Sequence, residues 1–311
     1  MNVEKIVSRV YLSAVLVTSL ALNITVFYIY LLKVKKKELT HFFIVSISIT
    51  NLLESTVGII PQLVISNETL LERTPLCISS SFAVLGFAIT NITHLAVLSF
   101  IRTVAVKYPM LYLKYHKIIR FKVTLILACY AYGFVWATLP LIGWSKYDLD
   151  LDKKRCSLDW KLTKSNSFSY ILAIYICCNI LPGIVIALTL YFSTKTIYRR
   201  QSCKLRQNFK KSILEREYLK ICYLSAIAYF FFWTTYAIIG ALTLLQVQIS
   251  PSLATFTALI TKLSTISNVV VNCFVLKSFR NHFINLKFIR IIKKYLEVLK
   301  VKKHSKLDHT V

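Results

Sequence analysis

The chain is 311 residues long, 56% hydrophobic and 13% aromatic, with only 17% charged residues, and its mean hydropathy is +0.60. Soluble domains carry more charge and less apolar surface, so soluble enzymes are excluded and a polytopic helical membrane protein is the expected class. The formal charge of +26 would suit a nucleic-acid partner if the basic residues were spread evenly. They are confined to alternate links and the tail, which excludes that partner as well.

Seven apolar stretches are long enough to cross a bilayer: roughly 10–32, 41–65, 77–106, 122–143, 168–194, 217–245 and 253–276. The first is too long for a cleaved signal peptide, lacks a small-residue exit, and runs into a basic stop. It carries Asn23 and is followed by Lys33, Lys35, Lys36 and Lys37. Span 2 carries Asn51 and Glu54, the one acid in the middle of any span. The sequon Asn67-Glu68-Thr69 follows, on the outer side by the argument below, so Asn67 is a glycosylation candidate. The sequons at Asn23 and Asn91 lie inside spans and are set aside. Cys77 opens span 3, and Cys156 lies in the long link after span 4. Both fall on the outer side, where disulfides form, and we expect them to pair. The other cysteines read as small apolar packing residues.

The charge of the links sets the topology. Lys107, Lys114, Lys117 and Arg120 surround the link after span 3, and Lys195, Arg199, Arg200, Lys204, Arg206, Lys210 and Lys211 follow span 5. The link after span 6 has no charge, and the tail is again basic. The positive-inside rule therefore predicts an outer N-terminus and a cytoplasmic C-terminus. The expected division is a seven-span domain over 1–281 and a basic cytoplasmic tail over 282–311. The basic face fits anionic inner-leaflet lipid and can share that surface with an acidic cytosolic partner. Within the tail, Phe283, Leu286, Ile289 and Leu296 among lysines read as an amphipathic helix on the membrane.

Lys262 is the one lysine well inside any span. A lysine at mid-bilayer depth is costly and marks a functional site, and its amine can hold an aldehyde as a Schiff base. Counted from the inner ends, Glu54 and Lys262 both lie at roughly 20–22 Å, and intramembrane charges tend to pair. A purely structural Glu54–Lys262 pair is therefore the bland alternative to a ligand-bearing lysine. Asn23, Asn51 and Asn268, on spans 1, 2 and 7, need partners between helices. The expectation is one polar centre shared with Ser264 and Ser267.

Several patterns bring a family resemblance. The three asparagines are similar to the polar centre of rhodopsin-like G-protein-coupled receptors, with Asn51 where that family usually has aspartate. Arg102, 25 residues after Cys77, resembles the arginine of the family's acid-Arg-Tyr motif, with Ile101 and Thr103 as its neighbours. Trp136 to Tyr147, and Cys156-Ser157-Leu158-Asp159-Trp160, resemble the fourth span and second outer loop of opsins. Trp233-Thr234-Thr235-Tyr236-Ala237 resembles the opsin Trp-x-Pro-Tyr-Ala pattern, with Thr235 in place of proline. Lys262 falls six residues before Asn268, as the opsin retinal lysine does, and 276–281 resemble the start of helix 8. The run around Trp136–Trp144, Tyr147-Asp148-Leu149-Asp150 and Asn268-Val269-Val270-Val271-Asn272 look most like the peropsin and photoisomerase branch.

The resemblance implies an all-α, rhodopsin-like seven-transmembrane bundle with a short amphipathic helix 8. It implies all-trans or 11-cis retinal held as a Schiff base on Lys262. The pocket walls would be Trp233 and Tyr236, with Val84, Leu85, Ala88, Ala258 and Leu158 by matched position. Ser80 stands where many visual pigments place a carboxylate, so the counterion falls to Glu54 or to Asp150 in the outer loop. Arg102, Glu215 and Asn268 would form the signalling switch toward a heterotrimeric G protein. The departures at Ile101, Thr103, Thr235, Val269 and Asn272 predict weak coupling. A retinal photoisomerase, and a seven-span receptor for another small ligand, are the two alternatives.

Overall fold

The computed structural model describes residues 3–33, 38–64, 74–202, 209–275 and 280–281. Among them, seven helical stretches are long and apolar enough to cross a membrane. They are α1 (Val3–Leu32), α2 (Leu39–Val64), α3 (Pro75–Lys107), α5 (Ile119–Thr138), a composite fifth span, α8 (Phe209–Leu244) and a composite seventh span. A short helix, α4 (Pro109–Tyr115), joins α3 to α5. Helix 8 and the tail motif fall almost wholly outside the described residues, as does Asn67.

Helix α3 occupies the middle of the bundle and packs against α2, α5, α7 (Leu181–Ser202) and α8. Its start is fixed locally: Pro75 sits at the first helical position, and the Thr74 side chain accepts from the Cys77 amide at 3.2 Å. Its approach to α5 depends on small residues. A Cβ at Gly133 would collide with Thr90 Oγ1 and come within 2.6 Å of the Gly86 carbonyl, and one at Gly86 would meet Phe134 at 2.8 Å.

Proline and local hydrogen bonding explain where three spans depart from the apolar pattern. The fourth was expected to run to residue 143 but ends at Thr138. Pro140 supplies no amide, and the chain turns through residues 139–143 to Gly143, at φ 108°. The fifth is built from α6 (Ser167–Ile174), a π-helical turn (Tyr175–Ile180) and α7 (Leu181–Ser202). Pro182 cannot donate to the Cys178 carbonyl, and a wider turn precedes it. The seventh divides into α9 (Pro251–Thr261) and α10 (Ser264–Val275), and Lys262 and Leu263 form the turn between them. There the amides of Lys262 and Leu263 bond three residues back, to Leu259 and Ile260, at 3.2 and 3.0 Å. Thr265 Oγ1 donates to the Lys262 carbonyl at 2.8 Å.

The link between α5 and α6 folds as a two-stranded antiparallel lid, β1 (Tyr147–Leu149) with β2 (Cys156–Leu158), pairing Tyr147 with Leu158 and Leu149 with Cys156. Cys77 and Cys156 form the expected disulfide, with Cα atoms 5.4 Å apart. The lid packs on an aromatic cluster that includes Tyr147, Leu158, Tyr170, Trp136 and Trp144. Tyr147 donates its hydroxyl to the Ala137 carbonyl at 2.7 Å, and Tyr170 donates to the Trp136 carbonyl at 2.8 Å. Burial pushes the Tyr147 hydroxyl above its ordinary pKa, as expected of a phenol enclosed beneath a loop.

Candidate retinal pocket and its charged surroundings

A cavity lies beneath the lid, between α2, α3, α8 and α9. Its walls include Gly58 and Pro61 from α2, Ser80, Val84 and Leu85 from α3, and Leu158 and Trp160 from the lid segment. Trp233 and Tyr236 come from α8, Ala258 and Thr261 from α9, and Lys262 closes one side. Trp233 stacks on Tyr229 with ring centroids 5.9 Å apart and planes 23° apart. Seven of the expected pocket residues, Lys262, Trp233, Tyr236, Val84, Leu85, Leu158 and Ala258, meet here. Ala88 does not line the cavity. It is buried one turn further along α3, where its carbonyl accepts from the Tyr229 hydroxyl at 3.1 Å.

Lys262 is 8% exposed, and its amine makes no hydrogen bond among the described residues. The space for that amine is left by Gly58: a Cβ there would lie 2.9 Å from Lys262 Nζ and 2.8 Å from Val84 Cγ2. A buried amine without a hydrogen-bond partner, facing aromatic and aliphatic walls, fits a long apolar aldehyde. The charged groups near it are Glu54, Arg155 and Asp150.

The two candidate counterions stand in opposite surroundings. Asp150 is 1% exposed, and its Oδ2 takes a 2.7 Å ion pair from Arg155 Nε and a 3.0 Å hydrogen bond from the Tyr236 hydroxyl. Tyr236 in turn accepts from Trp160 Nε1 at 2.9 Å. Arg155 also pairs with Asp152 at 3.0 Å and donates to the Ala254 carbonyl at 3.2 Å, and Thr255 Oγ1 donates to Asp152 at 2.9 Å. Burial opposes the Arg155 charge, but Asp150 and Asp152 outweigh it and hold the guanidinium above its ordinary pKa. Glu54 has no such cation bound to it among the described residues. It is 2% exposed, makes no close ion pair with Lys262, and accepts one 3.1 Å bond from Asn91 Nδ2.

The expected polar centre changes membership. Asn23 and Asn51 do meet, through Asn51 Nδ2 to Asn23 Oδ1 at 3.3 Å, and Asn23 Nδ2 reaches the Thr265 carbonyl at 3.1 Å. The third amide is Asn91 of α3, which donates to Asn51 Oδ1 at 3.0 Å. Asn268 is buried outside this string, and its Oδ1 has no hydrogen-bond partner among the described residues. Near the C-terminal end of α3, Arg102 is half-buried, while the Glu215 side chain lies outside the described residues. Thr103 lies 2.9 Å from the Thr189 carbonyl and 2.8 Å from Ser193 Oγ, tying α3 to α7.

Arg155 and Asn91 were not anticipated from the sequence. Arg155 reads as an ordinary loop cation, and the signal for it was its place beside Cys156, which draws it under the lid. Asn91 lies in a sequon inside a span just as Asn23 does, and its amide deserved the same reading as Asn23 and Asn51.

Seven spans, a lid tied to the third, and a buried lysine facing an apolar cavity define a seven-transmembrane receptor bundle. The family described as 7 transmembrane receptor (rhodopsin family) matches residues 22–275, and the chain belongs to it. Opsin-3 of Mus musculus is 25% identical over 263 residues, covering 82% of this chain and 64% of that protein. Parapinopsin of Ictalurus punctatus is 24% identical over 208 residues, covering 66% of this chain and 60% of the relative. The chain thus spans a little under two thirds of the length of these relatives. The crystal structure of squid rhodopsin superposes with a TM-score of 0.80 at 20% identity, covering 94% of this chain and 88% of that one.

Proposed function

We propose that the chain is an opsin-like photoreceptor of this receptor family, holding retinal as a Schiff base on Lys262. The observation that carries the reading is the Lys262 amine, buried without a hydrogen bond beside Glu54 and facing the aromatic walls of the cavity. Retinal supplies the light-absorbing polyene and its isomerisation. The protein's part is to present the amine, to enclose the polyene between Trp233, Tyr236 and Leu158, and to balance the charge at the lysine. We assign that balance to Glu54, because Asp150 is already committed to Arg155. An outer N-terminus, with the basic links facing the cytosol and a G protein, completes the reading.

The second reading, a photoisomerase with little G-protein signalling, is favoured by Thr103. Where the family has tyrosine, this residue ties α3 to α7 at the inner end and opposes the opening of a cleft there. Purified protein is incubated separately with all-trans and 11-cis retinal and then treated with borohydride. Retinal should be fixed to the peptide containing Lys262, and Lys262→Ala should yield no pigment. A visible pigment that survives Lys262→Ala would overturn the proposal. Glu54→Gln should move the absorption toward the ultraviolet at neutral pH, and Asp150→Asn should leave it in the visible; the reverse pattern would transfer the counterion to Asp150. Light-driven isomer change without nucleotide exchange would select the photoisomerase reading.

A further inference from the structure

The buried amides form a directed string. Asn91 Nδ2 is shared between Glu54 Oε2, at 3.1 Å, and Asn51 Oδ1, at 3.0 Å. Asn51 Nδ2 donates to Asn23 Oδ1 at 3.3 Å, and Asn23 Nδ2 donates to the Thr265 carbonyl at 3.1 Å. Thr265 Oγ1 returns to the Lys262 carbonyl at 2.8 Å. The string therefore leaves Glu54, crosses α3, α2 and α1, and arrives at the backbone of the turn that carries Lys262. Among the described residues, its unused group is Asn91 Oδ1, which is buried and has no hydrogen-bond partner there, in a residue only 4% exposed.

An ionised carboxylate only accepts hydrogen bonds, and the Asn91 amide gives it a donor. A protonated carboxyl has an O–H to place, and the one idle acceptor beside it is Asn91 Oδ1. Turning the Asn91 amide to offer that oxygen withdraws its N–H from Asn51, and the loss passes to Asn23 and Thr265. We infer that Asn91 is a positioning residue that holds Glu54 ionised and, when Glu54 gains a proton, transmits that change through Asn51 and Asn23 to the turn of the seventh span. This rests on Glu54 being the charge that faces the Lys262 amine. The other titratable groups acting on or near Glu54 are Lys262 from the seventh span and Tyr229 from α8.

The test uses the full chain without retinal, so it does not depend on pigment formation. Infrared spectra in neutral buffer report the protonated carboxyl band of Glu54, identified by its disappearance in Glu54→Gln. Asn91→Leu removes a donor to a charged group and should move the ratio of protonated to ionised Glu54 about tenfold toward the protonated form. Asn51→Leu does not touch Glu54, yet it frees the Asn91 amide to turn and should move the ratio the same way by a smaller factor. Thermal melts check that each variant is folded, and Asn91→Ala replaces Asn91→Leu if the larger side chain prevents folding. An unchanged band in the Asn91 variants overturns the positioning role. A response to Asn91 substitution with none to Asn51→Leu overturns the transmission. With retinal added, an altered band but unchanged absorption would show that Glu54 is not the counterion. That result would fault the proposed charge balance and leave the string standing.

Discussion

Glu54 and Asp150 are carboxylates of equal burial, and their neighbours give them different work. Asp150 belongs to a clamp in which one guanidinium serves two acids; Glu54, among the described residues, has only an amide donor. Arg155→Met removes the cation and leaves Asp150 and Asp152 buried without it. Breaking a buried pair from one side costs about 3–5 kcal/mol, so thermal unfolding should show a fall of that order. Arg155→Lys should restore only part of it, because an ammonium cannot reproduce the fork that meets both acids. At Gly58, substitution by Ala places a Cβ in the space of Lys262 Nζ and Val84. Retinal uptake by Gly58→Ala, followed as absorbance against time, should be slower than in the parent and its plateau lower. Lys262 and Glu54 were legible in the sequence because a charge among apolar residues has no ordinary explanation. Arg155 was not, because a loop cation normally faces solvent, and its burial is decided by the disulfide and the hairpin register rather than by its neighbours in sequence.

The elements were legible as apolar runs, and their interruptions were not. The sequence expectation was continuous helix through residue 143 in the fourth span and through Lys262 in the seventh. Periodicity reports which residues face inward and is blind to a tightened or widened turn that keeps the same face. The π-helical turn before Pro182 and the turn at Lys262 are of this kind. The lid hairpin is only three residues per strand and too short to register as an alternating pattern. Close helix approach was equally hidden, since a glycine in a span is silent until its neighbour is known. Gly133 faces Thr90 and the Gly86 carbonyl, so Gly133→Leu should force α5 away from α3. A loss of about 1–3 kcal/mol is expected for such overpacking. Chemical or thermal denaturation in detergent would measure it, and Ala131→Leu, on the same helix, serves as the control for added bulk.

At the scale of the whole molecule, the Cys77–Cys156 bridge closes a loop with a sequence separation of 79 residues and joins the lid to the central helix. A cross-link over a loop of that length stabilises by about 4.5 kcal/mol in the chain-entropy account. Cys156→Ser should therefore lower the unfolding temperature, and it should also let the lid leave the cavity. Proteolysis of the 150–155 turn, slow in the parent, should become fast in this variant; equal rates would mean that the Arg155 clamp alone holds the lid. The alternating link charges and the seven spans made the overall architecture readable. The pairing of the helices across the bundle required the coordinates.

The C-terminal half of α8 is held at several points. Tyr236 bonds to Asp150 and Trp160, the Tyr175 hydroxyl bonds to the Ala237 carbonyl, and Gly240 lies against Trp160 and Tyr175. The helix begins at Phe209, so about 40 Å of it lies between Tyr236 and that end at ~1.5 Å per residue. With one end fixed, the helix is a lever whose fulcrum sits against the cavity. A tilt of about 10° about Tyr236 would sweep the Phe209 end through roughly 7 Å. A small rotation where Trp233 and Tyr236 meet the cavity would therefore be magnified at the far end of the helix, without any hinge within the span.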